Sequence, residues 1–319
     1  DAAEFDTLVT NRGAVVAQNG QVWMSANSMS NYAAAVINAG PVNDLEKTNL
    51  VALSDGVIGI RATTVNISAQ NEAGTASVSL SGTDSMIEGV TVQLDSAGDV
   101  MLAGHIEATD LTATAGGKIY QPRDYALDTY LDISNQATFI SFATTAEQCV
   151  GPCVDLGNQQ NDFNYLTIDV PGLNEQAGDA YVADRNGLSI NANVRNLSVD
   201  ANMYLEEHEH PGDVVLANGA DNTQGFFYVA ADLAVNSNGG NILQNGALNV
   251  GGTSRFDATR FVYNEETYEL TEEERGNILL CNPGNQLTSY VSLLGNDIVL
   301  TNGKGLNLGR VETGALRKG

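Results

Sequence analysis

Asp110-Leu111-Thr112-Ala113-Thr114-Ala115-Gly116-Gly117-Lys118-Ile119-Tyr120-Gln121 returns, one residue longer, as Asp232-Leu233-Ala234-Val235-Asn236-Ser237-Asn238-Gly239-Gly240-Asn241-Ile242-Leu243-Gln244. Each copy holds a short run with alternate apolar residues, a Gly-Gly turn, and the start of a second run. The repetition extends outward in both directions. Gly98-Asp99-Val100-Met101-Leu102-Ala103 resembles Gly212-Asp213-Val214-Val215-Leu216-Ala217. Val154-Asp155-Leu156, then Asn161-Asp162-Phe163-Asn164-Tyr165-Leu166-Thr167-Ile168, is echoed by Ile278-Leu279-Leu280 and Asn285-Gln286-Leu287-Thr288-Ser289-Tyr290-Val291-Ser292-Leu293. Asp184–Ile190 matches Thr301–Leu308. The matches keep their order at roughly constant separation, with length changes in the turns, as stacked repeats do.

Other β-type runs have the same character: Gln21–Ala26, Val57–Ala62, Ala76–Leu80, Val90–Leu94 and Asp99–Ala103. Between them lie turn clusters such as Gln18-Asn19-Gly20, Ser54-Asp55-Gly56, Ser96-Ala97-Gly98 and Ser237-Asn238-Gly239-Gly240. Strand spacing alone fits a sandwich, a barrel or a solenoid. Several small, β-branched strands per repeat favour an all-β parallel β-helix (β-solenoid) over a β-sandwich array, which stays the structural alternative. Coils of roughly 20 residues would give about fifteen coils. One domain is expected over 1–319, with internal repeats at about 98–200 and 212–319 and loop insertions at 122–160, 204–213 and 261–276.

Composition bounds the partners. The 319 residues carry 14 Lys and Arg against 39 Asp and Glu, a net charge of -25, so phosphate-rich nucleic acid and anionic bilayer surfaces are disfavoured. With 43% hydrophobic residues in regular spacing the chain is not disordered, and the 6% of aromatics suits a narrow aliphatic interior. A membrane-spanning apolar stretch is lacking, and so is a signal peptide at Asp1, so a leader has been removed or Asp1 lies within a longer precursor.

At this point a family resemblance appears. Val9–Ala26 with Ala35-Val36-Ile37-Asn38-Ala39-Gly40 resembles the N-x-G-x-[IV]-x-A-x-x-G-x-V-x-[LM]-x-A and V-[IV]-N-x-G pattern of filamentous haemagglutinin-like large exoproteins. Gly240–Ala258 is similar to that family's G-x-I-x-Q-x-G-x-L-x-V-x-G-x-S-x-F-x-A repeat, and further elements fall at Ile278–Leu280, Asn285–Leu287 and Leu306–Gly309. The resemblance implies a right-handed parallel β-helix and a secreted, cell-surface bacterial adhesin exported by two-partner secretion. The family's N-terminal secretion domain is not in this sequence, so an internal or mature portion is implied.

The function expected is therefore an extracellular, non-catalytic rod that mediates adhesion or matrix attachment, its partner a protein or carbohydrate of a host or neighbouring cell. A self-assembling filament or sheath subunit, associating end to end, is the alternative. A polysaccharide-active β-helix enzyme is the competitor from another class, and it needs clustered carboxylates with a proton donor. The three histidines are His105, His208 and His210. His105 lacks an adjacent Asp pair and reads as a surface or turn residue.

Glu206, Glu207, His208, Glu209 and His210 form the densest ligand-type cluster and could hold a divalent metal, although a solvated inter-coil loop has the same composition. Asp55, Asp95, Asp99, Asp213, Asp221 and Asp297 at turns could ligate calcium, but the calcium β-roll nonapeptide is absent. No cofactor is otherwise expected. Tyr120, Arg123, Tyr125 and Tyr130 gather aromatic and polar groups suited to a ligand-contact loop. Cys149 and Cys153 are spaced for a local disulfide, with two free thiols as the alternative, and Cys281 reads as a small buried hydrophobe. Glu265–Arg275 is the one helix candidate, with Thr271 and Glu274 placed for a capping box.

Overall fold

The computed structural model describes residues 9–11, 15–28, 35–39, 58–71, 77–122, 129–143, 149, 151–171, 178–202, 211–218, 225–264 and 269–314. These hold strands and turns and no helix. In chain order the first strands are β1 (Val9–Asn11), β2 (Val15–Ser28), β3 (Ala35–Ala39), β4 (Ile58–Asn71), β5 (Ser77–Ser96), β6 (Val100–Ala115) and β7 (Ile119–Tyr120). Then follow β8 (Leu131–Ser141), β9 (Val154–Leu156), β10 (Asp162–Asp169), β11 (Ala180–Ala183), β12 (Ser189–Val194) and β13 (Leu197–Asp200). The second half holds β14 (Val214–Leu216), β15 (Phe227–Val229), β16 (Leu233–Asn236), β17 (Ile242–Gln244), β18 (Asn249–Val250) and β19 (Ser254–Asp257). The last are β20 (Thr259–Asn264), β21 (Glu269–Arg275), β22 (Ile278–Leu280), β23 (Gln286–Leu287), β24 (Tyr290–Leu294), β25 (Ile298–Leu300) and β26 (Asn307–Glu312).

All but two of these strands join one 24-stranded sheet whose pairings are parallel. One ladder runs the length of the stack: Val9, Val36, Val78, Val100, Ile119, Val154, Ala180, Leu197, Leu233, Ser254, Val291 and Leu308 are successive partners. Each strand pairs with the coil before and the coil after, the arrangement a β-solenoid requires. The twelve rungs of this ladder stand about 50 Å tall at the usual strand spacing. Among the described residues this ladder has fewer rungs than the roughly fifteen coils expected at about 20 residues each. Several coils are longer, such as Ile119 to Val154 and Ser254 to Val291.

Alternation along each strand sends aliphatic residues inward, where they stack in rows. Val65, Val92, Leu111, Ala137, Leu166, Ile190 and Leu216 form one such row, all buried. The next row runs Ile67, Leu94, Ala113, Phe139, Ile168, Ala192 and Phe227. Alanines sit beside its two phenylalanines, so a narrow interior keeps constant volume. Phe139 also meets Phe163 edge to face, ring centroids 6.2 Å apart.

Repeated polar pairs close the corners. Asn161 and Gln121 exchange two amide hydrogen bonds of 2.9 Å, and Asn161 Oδ1 also accepts from Leu131 N at 3.1 Å. Its Nδ2 donates to the carbonyls of Leu156 and Ala183. Asn285 does the same with Gln244 (3.0 and 2.9 Å), Leu248 N (2.9 Å) and the carbonyls of Leu280 and Thr301. Both asparagines are fully buried, so each pair satisfies groups that would otherwise be stranded in the interior.

Equivalent segments of the two repeats nevertheless occupy different sides of the coil. Val100 pairs with Ile119 as Val214 pairs with Ile242. Yet the ladder through Ile119 leads to Leu233, the counterpart of Leu111. The turn comes at β12, whose Ser189–Ile190 carries β14 while Ala192–Val194 carries β15. One side has become two, and the second repeat starts one side further round.

Several expectations need correction or refinement. Residues 122–160 hold β8 and β9, two strands of the main sheet. Glu265–Arg275 forms no helix where it is described: β21 pairs antiparallel with β20 as a separate two-stranded sheet. The reason lies in β20, whose Thr259-Arg260-Phe261-Val262-Tyr263 is a strong strand former and places Arg260 opposite Glu274. Cys281 is exposed, because β22 ends at Leu280 and the next residue turns the corner outward.

Candidate functional site

The expected ligand-contact loop is divided by the fold. Tyr120 sits on β7 after the Gly116-Gly117 turn, with the Lys118 ammonium 5.2 Å from its ring centre and 3.9 Å from the buried Asp155 carboxylate. Burial, and then the Asp99 charge, raise the Tyr120 hydroxyl above its ordinary pKa. Lys118, Tyr120 and Asp155 line a recess of about 450 Å³ with Pro122, Gly151 and Pro152. Gly151 and Pro152 belong to the short loop closed by the Cys149–Cys153 disulfide, whose Cα atoms are 5.0 Å apart. The disulfide thus shapes the rim of the recess. Tyr130 lies on another side of the coil, its ring tilted against His105 with 3.9 Å between centroids. His105 is therefore half-buried against an aromatic. Arg123 and Tyr125 lie outside the described residues.

Glu206, Glu207, His208, Glu209 and His210 also lie outside the described residues. The residues flanking them are bonded together. Asn202 Oδ1 accepts from Gly212 N at 2.7 Å, and its Nδ2 donates to Gly212 O at 2.9 Å. Among the described residues no group of three His, Cys, Asp or Glu is placed to hold a metal ion. The turn aspartates have another use. Asp99 accepts from Lys118 N (2.7 Å), Asp213 from Asn241 N (3.2 Å) and Asp232 from Thr253 N (2.7 Å), each one coil ahead. Asp95 accepts from Gln70 Nε2 at 2.9 Å. Asp55 and Asp221 lie outside the described residues.

A feature not expected from sequence is a carboxylate ladder. Arg61, Glu88, Glu107, Asp132 and Asp162 are successive rung partners. Arg61 is paired with Glu88 at one end, and Arg185 lies 3.8 Å from Asp162 at the other. A groove of about 510 Å³ follows the ladder past Arg61, Glu88, Glu107, Asp132 and Ser134. Burial and the neighbouring Asp162 raise the Asp132 pKa, while His105 and Arg185 oppose the rise. Such a groove suits cationic or hydroxyl-bearing groups. Only the pairing register reveals it, because the residues lie 19 to 30 positions apart in sequence.

Stacked parallel strands with duplicated corner chemistry define a repeat protein of parallel β-sheet architecture. The chain belongs to the family described as Repeats of unknown function (DUF5649), whose model matches residues 89–168 and 211–294. Those two matches contain the two Gln–Asn pairs. No curated protein and no solved structure matches the chain.

Proposed function

We propose that this protein is a right-handed parallel β-helical segment of an extracellular bacterial surface adhesin. It is a non-catalytic rod that holds excursions from its corners against a protein or carbohydrate of another cell or of the matrix. The observation that carries this reading is the unbroken parallel ladder, from which chain leaves and returns at bonded bases. The Asn202–Gly212 clasp is one such base. The β20–β21 hairpin is another, anchored by Arg260–Glu274 and by Arg275 to Glu312 and presenting an exposed Phe261. The Cys149–Cys153 disulfide supports an oxidising location outside the cytoplasm. The net charge of -25 supports a soluble coat that avoids nucleic acid and anionic lipid, and a partner outside the membrane.

The test is binding of the purified chain to bacterial and host-cell surfaces and to glycan arrays. A variant with residues 261–273 replaced by a short Gly-Ser turn is measured beside it. The reading expects saturable binding that the shortened variant loses while its strand signal in far-UV circular dichroism is kept. Depolymerisation of an acidic polysaccharide by the chain, or binding to none of these surfaces, would contradict it.

A further inference from the structure

We infer that the side of the coil formed by β11, β13, β16 and β19 carries a binding site for a neutral pyranose sugar, seated between Tyr181 and Arg255. The inference deepens the adhesive reading by naming a ligand class and a place on the rod, and it rests on that reading for its setting.

The site follows from side-chain size along one outward column. Asp155, Tyr181, Ser198, Ala234 and Arg255 are successive rung partners. Two small residues thus stand between two large ones, with Tyr181 and Arg255 three rungs, about 14 Å, apart. The result is a recess of about 710 Å³, a size typical of small-molecule sites. Stacking alone does not make it. Where the second repeat has Ala234 the first has Thr112, followed on the next coils by Thr138 and Thr167.

One wall is in place before any ligand arrives. Asp179 accepts from Arg195 Nε and Nη2 and from Asn196 Nδ2, each at 2.8 Å. Asn196 Oδ1 accepts from Asp232 N at 2.8 Å, and Asp232 Oδ1 from Thr253 N at 2.7 Å. This chain of bonds ties together the turns that lead into four successive coils. The tyrosine is seated as well. A Cβ on Gly157 would lie 3.1 Å from Tyr181 Cε1, so the glycine gives the ring its place against the coil before. Pro152, within the loop closed by the Cys149–Cys153 disulfide, completes the rim.

A sugar ring calls for an aromatic surface under its C–H face and fixed polar groups around its hydroxyls. The recess supplies the Tyr181 ring, and with it Ser198 Oγ, Thr253 Oγ1 and Asp232 Oδ2, which bond no other described residue. Charge then selects among sugars. Asp179 is matched by Arg195 and Arg255 by Asp257, so Asp232 is the lining carboxylate with no ion pair among the described residues. An acidic sugar would bring a further negative charge to it, on a chain of net charge -25. A lone exposed carboxylate holds a cation weakly but accepts hydrogen bonds from hydroxyls, which favours a neutral sugar.

The test is calorimetric titration of the full chain with neutral di- to tetrasaccharides of glucose, galactose and mannose, beside oligogalacturonate, at low and high salt. At least one neutral sugar should bind with a Kd of about 1 mM or tighter, and salt should leave that Kd unchanged. Tyr181→Ala should weaken binding about tenfold, Tyr181→Phe should bind like the parent, and Ala234→Trp, which fills the recess from an exposed outward position, should abolish binding. Binding of no neutral sugar, preference for oligogalacturonate, or an Ala234→Trp variant that binds like the parent would each overturn the proposal. If Tyr181→Ala loses its fold, Ala234→Trp decides alone. Cell-surface binding that persists without any sugar titration overturns the recess and leaves the adhesive reading standing; sugar titration without cell-surface binding does the reverse.

Discussion

Replacing Asn161 by alanine removes the side chain that closes one corner of the first repeat. Asn161 is fully buried and Gln121 is 2% exposed, so water does not reach the groups left behind without rearrangement. The substitution strands the Leu131 N–H and the Gln121 Nε2 donor, and deprives the Leu156 and Ala183 carbonyls of a partner. Gln121 Oε1 keeps one donor, Asn158 N at 3.2 Å. At roughly 1–3 kcal/mol for each stranded buried group, partly offset by a water entering the vacated space, the net loss is about 3 kcal/mol. For a chain of this size that lowers the melting temperature by about 5 °C. The assay is thermal and urea unfolding followed by far-UV circular dichroism, for Asn161→Ala, Gln121→Ala and the double variant. Because the two amides serve each other, the double variant should lose clearly less than the sum of the singles. A single variant within about 1 °C of the parent, or full additivity, would refute the reasoning.

Asp184 is fully buried, and burial raises its carboxyl well above the ordinary range, although the Phe163 and Asn186 backbone N–H groups pull the other way. An acid whose folded pKa is raised stabilises the fold only while protonated. That contribution is complete below about pH 4 and is lost as pH rises through the raised value. Asp184→Asn, the residue type at Asn302, whose Oδ1 accepts from Leu287 N as Asp184 accepts from Phe163 N, should therefore gain stability over the parent as pH rises from about 4 and then level off, read from melting temperatures at stepped pH. Gly240→Ala would place a Cβ 2.0 Å from the Gly212 carbonyl oxygen and should cost about 3 kcal/mol, while Gly305→Ala, with open space around it, should melt like the parent. Thiol titration should find one reactive cysteine in the native chain, Cys281, and three after reduction and unfolding.

Much of the fold is legible in the chain because period-2 alternation and the spaced duplicates both report local geometry. Gln121 with Asn161 and Gln244 with Asn285 stand out as repeated residues long before their hydrogen bonds are known. The side on which each duplicate lands is not legible, because it depends on β12 carrying two strands, a long-range event with no local mark. The β20–β21 hairpin shows the limit of propensity. Its glutamate-rich half reads as helix until Phe261, Val262 and Tyr263 are seen as its partners. Cys281 shows the limit of alternation, which fails where a strand ends. The carboxylate ladder was hidden for a related reason: its members become neighbours only when coils of unequal length are laid in register.

The register of the coils is the claim on which everything else stands, and paired cysteines on the outer face test it most directly. Thr112, Thr138 and Thr167 are successive rung partners on one column. Neighbouring rungs place Cα atoms about 4.8 Å apart, within disulfide range, and alternate rungs lie well beyond it. In a Cys281→Ser background, Thr112→Cys with Thr138→Cys and Thr138→Cys with Thr167→Cys should each crosslink on mild oxidation, and Thr112→Cys with Thr167→Cys should not. Failure of both neighbouring pairs, or bridging of the alternate pair, would contradict the stacked parallel architecture.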